Sequence, residues 1–588
     1  MTFQAPVRDL LFALTQVVGI ERLTATEAFA DLDQDTVAAV LEAAAAVADD
    51  VLAPLNRQGD QTGALYQNGR VTAAPGFAAA YKTFAEGGWT SLSADPAFGG
   101  QGLPKALELA VSEMMHAANM AFNLCPTLSQ AAIEALQAHG TTAQQALYLP
   151  RLISGEWTGT MNLTEPQAGS DLAALRARAE PDGEGGYRLH GQKIFISWGD
   201  HDCADNIVHL VLARLPDAPE GSRGISLFLA PKRLVAEDGG LGAANALRPA
   251  GIEHKLGIHA SPTCVMLFEG ARAELVGEPN KGLAHMFTMM NAARLNVGCQ
   301  GVGIAERAYQ QALAFALERR QGRSTWTGEA NAPIFDHPDV RRILVGMKAD
   351  IEAARALCLL TALNADLSGC VGDPAARHAA LLRQELLTPI AKAWSTDIGV
   401  EVASLGMQVH GGMGFIEETG AAQHYRDARI APIYEGTNGI QAMDLAGRKL
   451  ALNDGAAMSD LIADIRAVCL ASEAAADAGL TGLGQRLEQA VDALETASAW
   501  MRAHQGSADA LAGATPFLGL AGDVIGGWLL TQGALAAARG EDADFAQGRL
   551  ALAAHYADTR LAQAPGRVAA VTAGAKRLTG MTARMLGA

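Results

Sequence analysis

Near its middle-to-late third the chain sets a carboxylate between an aromatic residue and a glycine, in Ile433-Tyr434-Glu435-Gly436-Thr437-Asn438-Gly439-Ile440-Gln441. A glutamate placed this way, just before an amphipathic run to Arg448, is held at the mouth of a cleft with little freedom. It therefore reads as a general base. Many glutamates beside a helix start only complement the helix dipole, so the reading depends on what else the chain carries. A glycine-rich stretch, Gln408-Val409-His410-Gly411-Gly412-Met413-Gly414-Phe415, stands ahead of Glu435. Two earlier strings also gather small, hydroxyl-bearing and aromatic residues: Leu163-Thr164-Glu165-Pro166-Gln167-Ala168-Gly169-Ser170-Asp171 and Gly191-Gln192-Lys193-Ile194-Phe195-Ile196-Ser197-Trp198-Gly199.

The elements that must position these residues are read from pattern. At 588 residues the chain exceeds what one core organises, so two to four domains are expected. Hydrophobic residues make up 49% and aromatics only 5%, which suits a mostly helical enzyme. Residues 1–36 read as an N-terminal extension and 37–157 as a helical domain, with apolar residues at helical spacing such as Val37, Val40, Leu41 and Ala44. Over 158–277 the runs become short and β-branched between Gly, Asp and Pro turns, as in Tyr187–His190, Lys193–Ser197 and Ile207–Ala213; this predicts a compact antiparallel β-domain. Helical periodicity returns over 278–450, and 451–588 reads as a further helical domain with no motif of chemistry.

Charge and cysteine usage exclude several classes. A formal net charge of −18 opposes general affinity for nucleic acid or anionic membranes, which need a dense positive footprint. The seven cysteines are scattered without a Cys-x-x-Cys pair, which argues for a reducing compartment with neither disulfide framework nor metal site. The apolar start lacks a basic lead and a small-residue cleavage site, and Pro516–Ala538 holds Asp523 and several glycines. The expectations are a cytoplasmic protein and a buried helix rather than a membrane span.

Together, in this order, the four strings resemble the acyl-CoA dehydrogenase family over roughly residues 37–450. The resemblance implies a mainly α fold with a central β-domain: an α-helical domain, a β-barrel-like domain and a four-helix bundle enclosing FAD, here followed by the C-terminal helical extension. It implies that Glu435 takes the α-proton of an acyl-CoA thioester, an acid too weak for a carboxylate in water unless the site stabilises the enolate-like transition state. It places Arg294 near that carboxylate and the substrate, with Ser170 and Gly436 also on the substrate side. FAD contacts implied are Met161, Leu163, Thr164, Gly169, Ser170, Phe195 and Ser197 from the β-domain. Phe195 and Ser197 stand where relatives often have Trp and Thr. Arg319, Gln408, Gly411 and Gly412 match positions that reach FAD across a subunit interface, implying a homodimer or dimer of dimers; Thr437 and Asn438 match positions near the adenosine. Electron-transferring flavoprotein is the implied acceptor.

Glu253-His254-Lys255-Leu256-Gly257-Ile258-His259-Ala260-Ser261-Pro262-Thr263 and the extra C-terminal block are similar to a long bacterial branch of the family. Its implied substrate is 3-methylthiopropionyl-CoA, in dimethylsulfoniopropionate degradation, with medium- or long-chain fatty acyl-CoA as alternatives. An oxidase that admits oxygen is a rival that the Tyr-Glu-Gly-Thr context disfavours. A non-catalytic DNA-binding branch needs a positive groove in the C-terminal block, where acidic residues outnumber basic ones. Asn291, where several relatives carry an acid, and Leu215, in place of a polar residue, leave the CoA contacts open.

Overall fold

The computed structural model describes residues 3–588. Helices Gln34–Val47, Ala53–Thr62 and Phe77–Glu86 lead into α1 (Lys105–His139) and Thr142–Ile153. The Asp33 carboxylate caps the first of these, accepting from the Thr36 amide at 2.7 Å. Helix α1 is apolar nearly all round and so runs through the core, broken at Asn119 (φ −158°, ψ 90°). The Asn119 side chain stabilises that break by accepting from the Phe122 amide and donating to the Leu52 carbonyl.

The middle of the chain forms one seven-stranded sheet: β1 (Trp157–Asn162), β2 (Arg178–Pro181), β3 (Tyr187–Ser197), β4 (Asn206–Arg214), β5 (Ile225–Pro231), β6 (Leu247–Ile252) and β7 (Thr263–Val276). Its order is β6-β7-β3-β2-β4-β1, and β5 pairs with both β7 and β4, so five strands close into a ring. The sheet is mixed, which corrects the antiparallel expectation: β1 runs parallel to β4 along six residues, Trp157 opposite Asn206 through Asn162 opposite Val211. The hairpin formed by β2 and β3 lies between them in sequence, and that length of chain permits a parallel return. Tyr187–His190 and Lys193–Ser197 are one continuous strand, bulged against β7.

Three long helices follow, α2 (Gly282–Glu318), α3 (Pro338–Cys370) and α4 (Pro374–His410), and α1 joins them as the fourth member of the bundle. Glycines permit the close approach of α2 and α4: a Cβ on Gly301 would lie 2.3 Å from the Ser395 carbonyl oxygen. A short helix α5 (Asn438–Gly447) packs on α4. In the C-terminal block, α6 (Ala508–Ala537) packs on α3, α4 and α5. It is long and apolar enough to cross a membrane, yet 72% of its most apolar window is buried, in line with the buried helix expected.

A buried ion network binds the chain's ends to this bundle. Arg355, with no exposed surface, donates to Glu113, Glu306 and Glu352 at 2.6–2.9 Å. Lys348 bridges Asp9, Glu306 and Glu352, and Arg549 reaches Asp9 and Glu352. Residue 9 belongs to the N-terminal extension and residue 549 to the C-terminal block, so neither segment is an appendage.

Candidate active site

Glu435 sits in the link between α4 and α5. It is a non-glycine residue at φ +55°, followed by Gly436 at φ +84°. Two successive left-handed residues turn the chain sharply, and a strained non-glycine residue of this kind is characteristic of functional sites. The turn is clamped from behind: the Gln441 amide donates to the Gly436 carbonyl at 3.2 Å and the Glu435 carbonyl at 3.5 Å, and the Thr437 hydroxyl caps α5 by accepting from the Ile440 amide. Tyr434 is held by its hydroxyl, which donates to Gln300 on α2.

Among the described residues the Glu435 carboxylate has no hydrogen-bond or ion-pair partner. Burial pushes its pKa up to about 7, opposed by the charges of Lys392 and Arg294. Arg294 is buried on α2, donates to Asn291 at 3.2 Å and keeps its Nε unpaired, so it is not a surface ion pair. The site thus offers an unpartnered carboxylate near neutrality under the charges of Lys392 and Arg294, an arrangement able to take a proton from a carbon acid.

The two β-domain strings meet through hydrogen bonds. β1 is an edge strand in which Met161 pairs with Leu210 of β4, and Leu163 and Thr164 follow the strand's end. The following turn is fixed by Glu165, whose carboxylate accepts from the amides of Arg176 and Ala177 and from Lys193 at 2.8–2.9 Å. Buried Lys193 also donates to the Leu163 carbonyl at 2.9 Å, and Ile194 N–H to the Thr164 carbonyl at 2.9 Å, so the two strings are joined. Phe195 is left 58% exposed at φ +59°, with half-buried Ser197 beyond it. Gly169 faces open space and Ser170 is exposed. An exposed aromatic ring and an open glycine-serine turn, on strings joined by hydrogen bonds, are a lining that fits a flavin.

Arg319, Gln408, Gly411 and Gly412 are exposed, as are Met413, Phe415 and Ile416 in the loop after α4, at 50%, 83% and 44%. The Asn438 side chain is fully engaged with α4: it accepts from Lys392 and donates to Ala393, Thr396 and Asp397. A cavity of about 250 Å³ between the bundle helices is lined by Glu108, Leu109, Thr288, Asn291, Asn296 and Thr388. A larger one, about 710 Å³, lies by Arg57, Lys255 and Arg426 and includes none of the four strings' residues. Sequence reasoning passed over Lys392, Lys193 and Gln300. Only Lys193 carried a signal, its place inside the second string.

The comparisons define the class: this chain belongs to the acyl-CoA dehydrogenase family. Models of that family's N-terminal, middle and C-terminal domains match residues 34–156, 160–271 and 280–450, and an acetyl-CoA dehydrogenase C-terminal-like model matches 461–582. Among individual proteins it is 46% identical to the 3-methylmercaptopropionyl-CoA dehydrogenase of Ruegeria pomeroyi, over 97% of this chain and 98% of that one. It is 35% identical to a butyryl-CoA dehydrogenase of Syntrophomonas wolfei, over 94% and 93%. An acyl-CoA dehydrogenase from Bacillus anthracis solved with FAD shares the fold at a TM-score of 0.75 and 19% identity, over 99% and 94%. Family membership carries FAD as cofactor and acyl-CoA dehydrogenation as activity.

Proposed function

We propose that this chain oxidises 3-methylthiopropionyl-CoA to 3-methylthioacryloyl-CoA, as a step of dimethylsulfoniopropionate degradation. The carrying observation is the 46% identity that runs over 97% of the chain, C-terminal block included, to a dehydrogenase of that thioether substrate. Glu435 takes the α-proton, and bound FAD supplies the acceptor for the β-hydride. The carboxylate's freedom from partners suits this role, since no hydrogen bond must break before it accepts the proton. The Glu435 backbone amide holds the thioester oxygen, where charge builds as the proton leaves. Arg294 stands by substrate and base, with Ser170 and Gly436 on the substrate side. Met161, Leu163, Thr164, Gly169, Ser170, Phe195 and Ser197 would hold the flavin.

Arg319, Gln408, Gly411 and Gly412, with the exposed apolar side chains of Met413, Phe415 and Ile416, form the subunit face of a homodimer or dimer of dimers. Electron-transferring flavoprotein is the proposed electron acceptor, and the cytoplasm the proposed compartment.

The test is anaerobic bleaching of flavin absorbance by 3-methylthiopropionyl-CoA beside butyryl-, octanoyl- and palmitoyl-CoA. Fast bleaching by the thioether and butyryl chains, with slow bleaching by palmitoyl-CoA, is the expected result. Preference for octanoyl- or palmitoyl-CoA keeps the chemistry and removes the substrate assignment.

A further inference from the structure

Lys392 lies in the middle of α4 with no exposed surface. The other buried lysine among the described residues, Lys193, meets Glu165 at 2.9 Å, and partly exposed Lys348 meets Glu352 at 2.9 Å. Lys392 meets none within 4 Å among the described residues; its one hydrogen bond goes to the Asn438 side-chain oxygen at 2.9 Å. An ammonium buried without a counter-ion is costly, so its retention calls for a reason. Asn438 is the first residue of α5, and its amide donates to the Ala393 carbonyl, Thr396 Oγ1 and Asp397 Oδ1 at 2.8–3.0 Å. Every polar contact of that side chain is to α4. Glu435 stands three residues earlier in a left-handed turn, so where α5 begins decides where the carboxylate points.

Resting on the reading of Glu435 as the base, we propose that Lys392 is its positioning residue: it anchors the turn through Asn438, and its unpaired charge holds Glu435 as the carboxylate that awaits a proton. Other charged or titratable groups around the pair are Arg294 from α2, Asp397 from α4, Tyr434 beside the base, and Asp444 and Arg448 from α5. Arg294 is shared with Asp444 as well as Glu435, and Asp397 is occupied by Asn438, which leaves Lys392 as the charge most available to the base. Burial lowers Lys392 to about 7 and raises Glu435 to about 7, so the two groups titrate in one range and each favours the charged form of the other.

Three variants separate anchor from charge, with flavin content and thermal midpoint confirming the fold. Lys392→Gln keeps a hydrogen bond to Asn438 without charge. It is expected to move the acid limb of the kcat/KM profile upward by about one pH unit, a roughly tenfold loss at pH 6.5 that closes by pH 9. Lys392→Arg keeps the charge and leaves the limb within a few tenths of a unit of the parent. Lys392→Met removes both functions and adds a loss of kcat at every pH; if it fails to retain flavin, the Gln and Arg variants decide alone. An unmoved limb in Lys392→Gln overturns the proposal, as does an equal loss at all pH values in all three. Glu435→Gln measured alongside keeps the two readings apart: if it stays active, the base assignment itself has failed, whereas if it is inactive and the lysine limbs are unmoved, only the role of Lys392 has.

Discussion

Glu113, Glu306 and Glu352 are almost wholly enclosed and each touches a cation, whereas half-buried Glu435 touches none. Both groups stand on or beside the same bundle helices. In the first, burial is opposed by Lys348, Arg355 and Arg549, which together hold Glu352 well below the usual carboxylate range. Only Glu113 escapes: burial raises it to about 7 although Arg355 lies against it, and the charges of Glu306 and Glu352 add to the rise. In the second region burial acts on a carboxylate whose cations stand off beyond contact, and the pKa again reaches about 7. Pairing makes a buried carboxylate part of the frame, whereas a carboxylate whose cations stand off keeps its oxygens free to accept a proton, the role proposed for Glu435.

The comparison breaks most sharply at Glu435 itself. Glu435→Gln keeps the shape and removes the proton acceptor, so turnover is expected to fall by about 10³-fold with FAD still bound. Because the carboxylate has no partner to strand, the variant's thermal midpoint at pH 8 is expected to equal or exceed the parent's. The sign follows from the raised pKa: the folded parent binds a proton more readily than the unfolded chain between the usual glutamate pKa of 4.5 and about 7, so it loses stability as pH rises through that window. Glutamine does not titrate, and the midpoint difference should grow over the same window. A flat difference with retained activity would mean that Glu435 is an ordinary surface acid.

The opposite outcome is expected in the network. Arg355→Met leaves Glu113, Glu306 and Glu352 without their shared cation and should cost ~3–5 kcal/mol of stability. Its effect on kcat, measured on whatever flavin-loaded protein survives at low temperature, should be less than about threefold. A collapse of kcat with the thermal midpoint intact would show that the network belongs to the site.

The same contrast explains what could be read from residues alone. The strings around Thr164, Phe195, Gly411 and Glu435 were legible because each is short and local, with glycines marking turns that few other residues can make. The helical runs and the buried character of α6 were legible from period and length. Arg355 and Glu113 gave no signal, because charged residues at helical spacing look like a solvated face until distant helices enclose them. Lys392 was hidden in the same way inside the run from Arg377 to Leu405. The parallel β1–β4 pairing was missed since strand period fixes which residues share a face and not which strand lies beside which. The left-handed backbone at Phe195 and Glu435 goes against residue preference, and such exceptions become visible only in the folded chain.

Two glycines three residues apart, Gly436 and Gly439, bring the comparison down to backbone. Gly436 is at φ +84°, and a Cβ there would lie 2.8 Å from Gln441 Nε2, the group that clamps the turn's carbonyls. Gly436→Ala therefore combines left-handed strain of ~1–2 kcal/mol with a displaced clamp. A fall in kcat of about tenfold, with KM changed less, is expected if the turn aims the base. Gly439 lies in the first turn of α5 with ordinary φ, and the nearest atom to its Cβ is Thr437 Oγ1 at 3.7 Å. Gly439→Ala should raise stability by up to ~1 kcal/mol, since alanine is the better helix former, and leave kcat near the parent's. Equal losses of kcat in both would mean that any change at the start of α5 disturbs the site; a loss confined to Gly436→Ala would assign the aim of Glu435 to the left-handed turn.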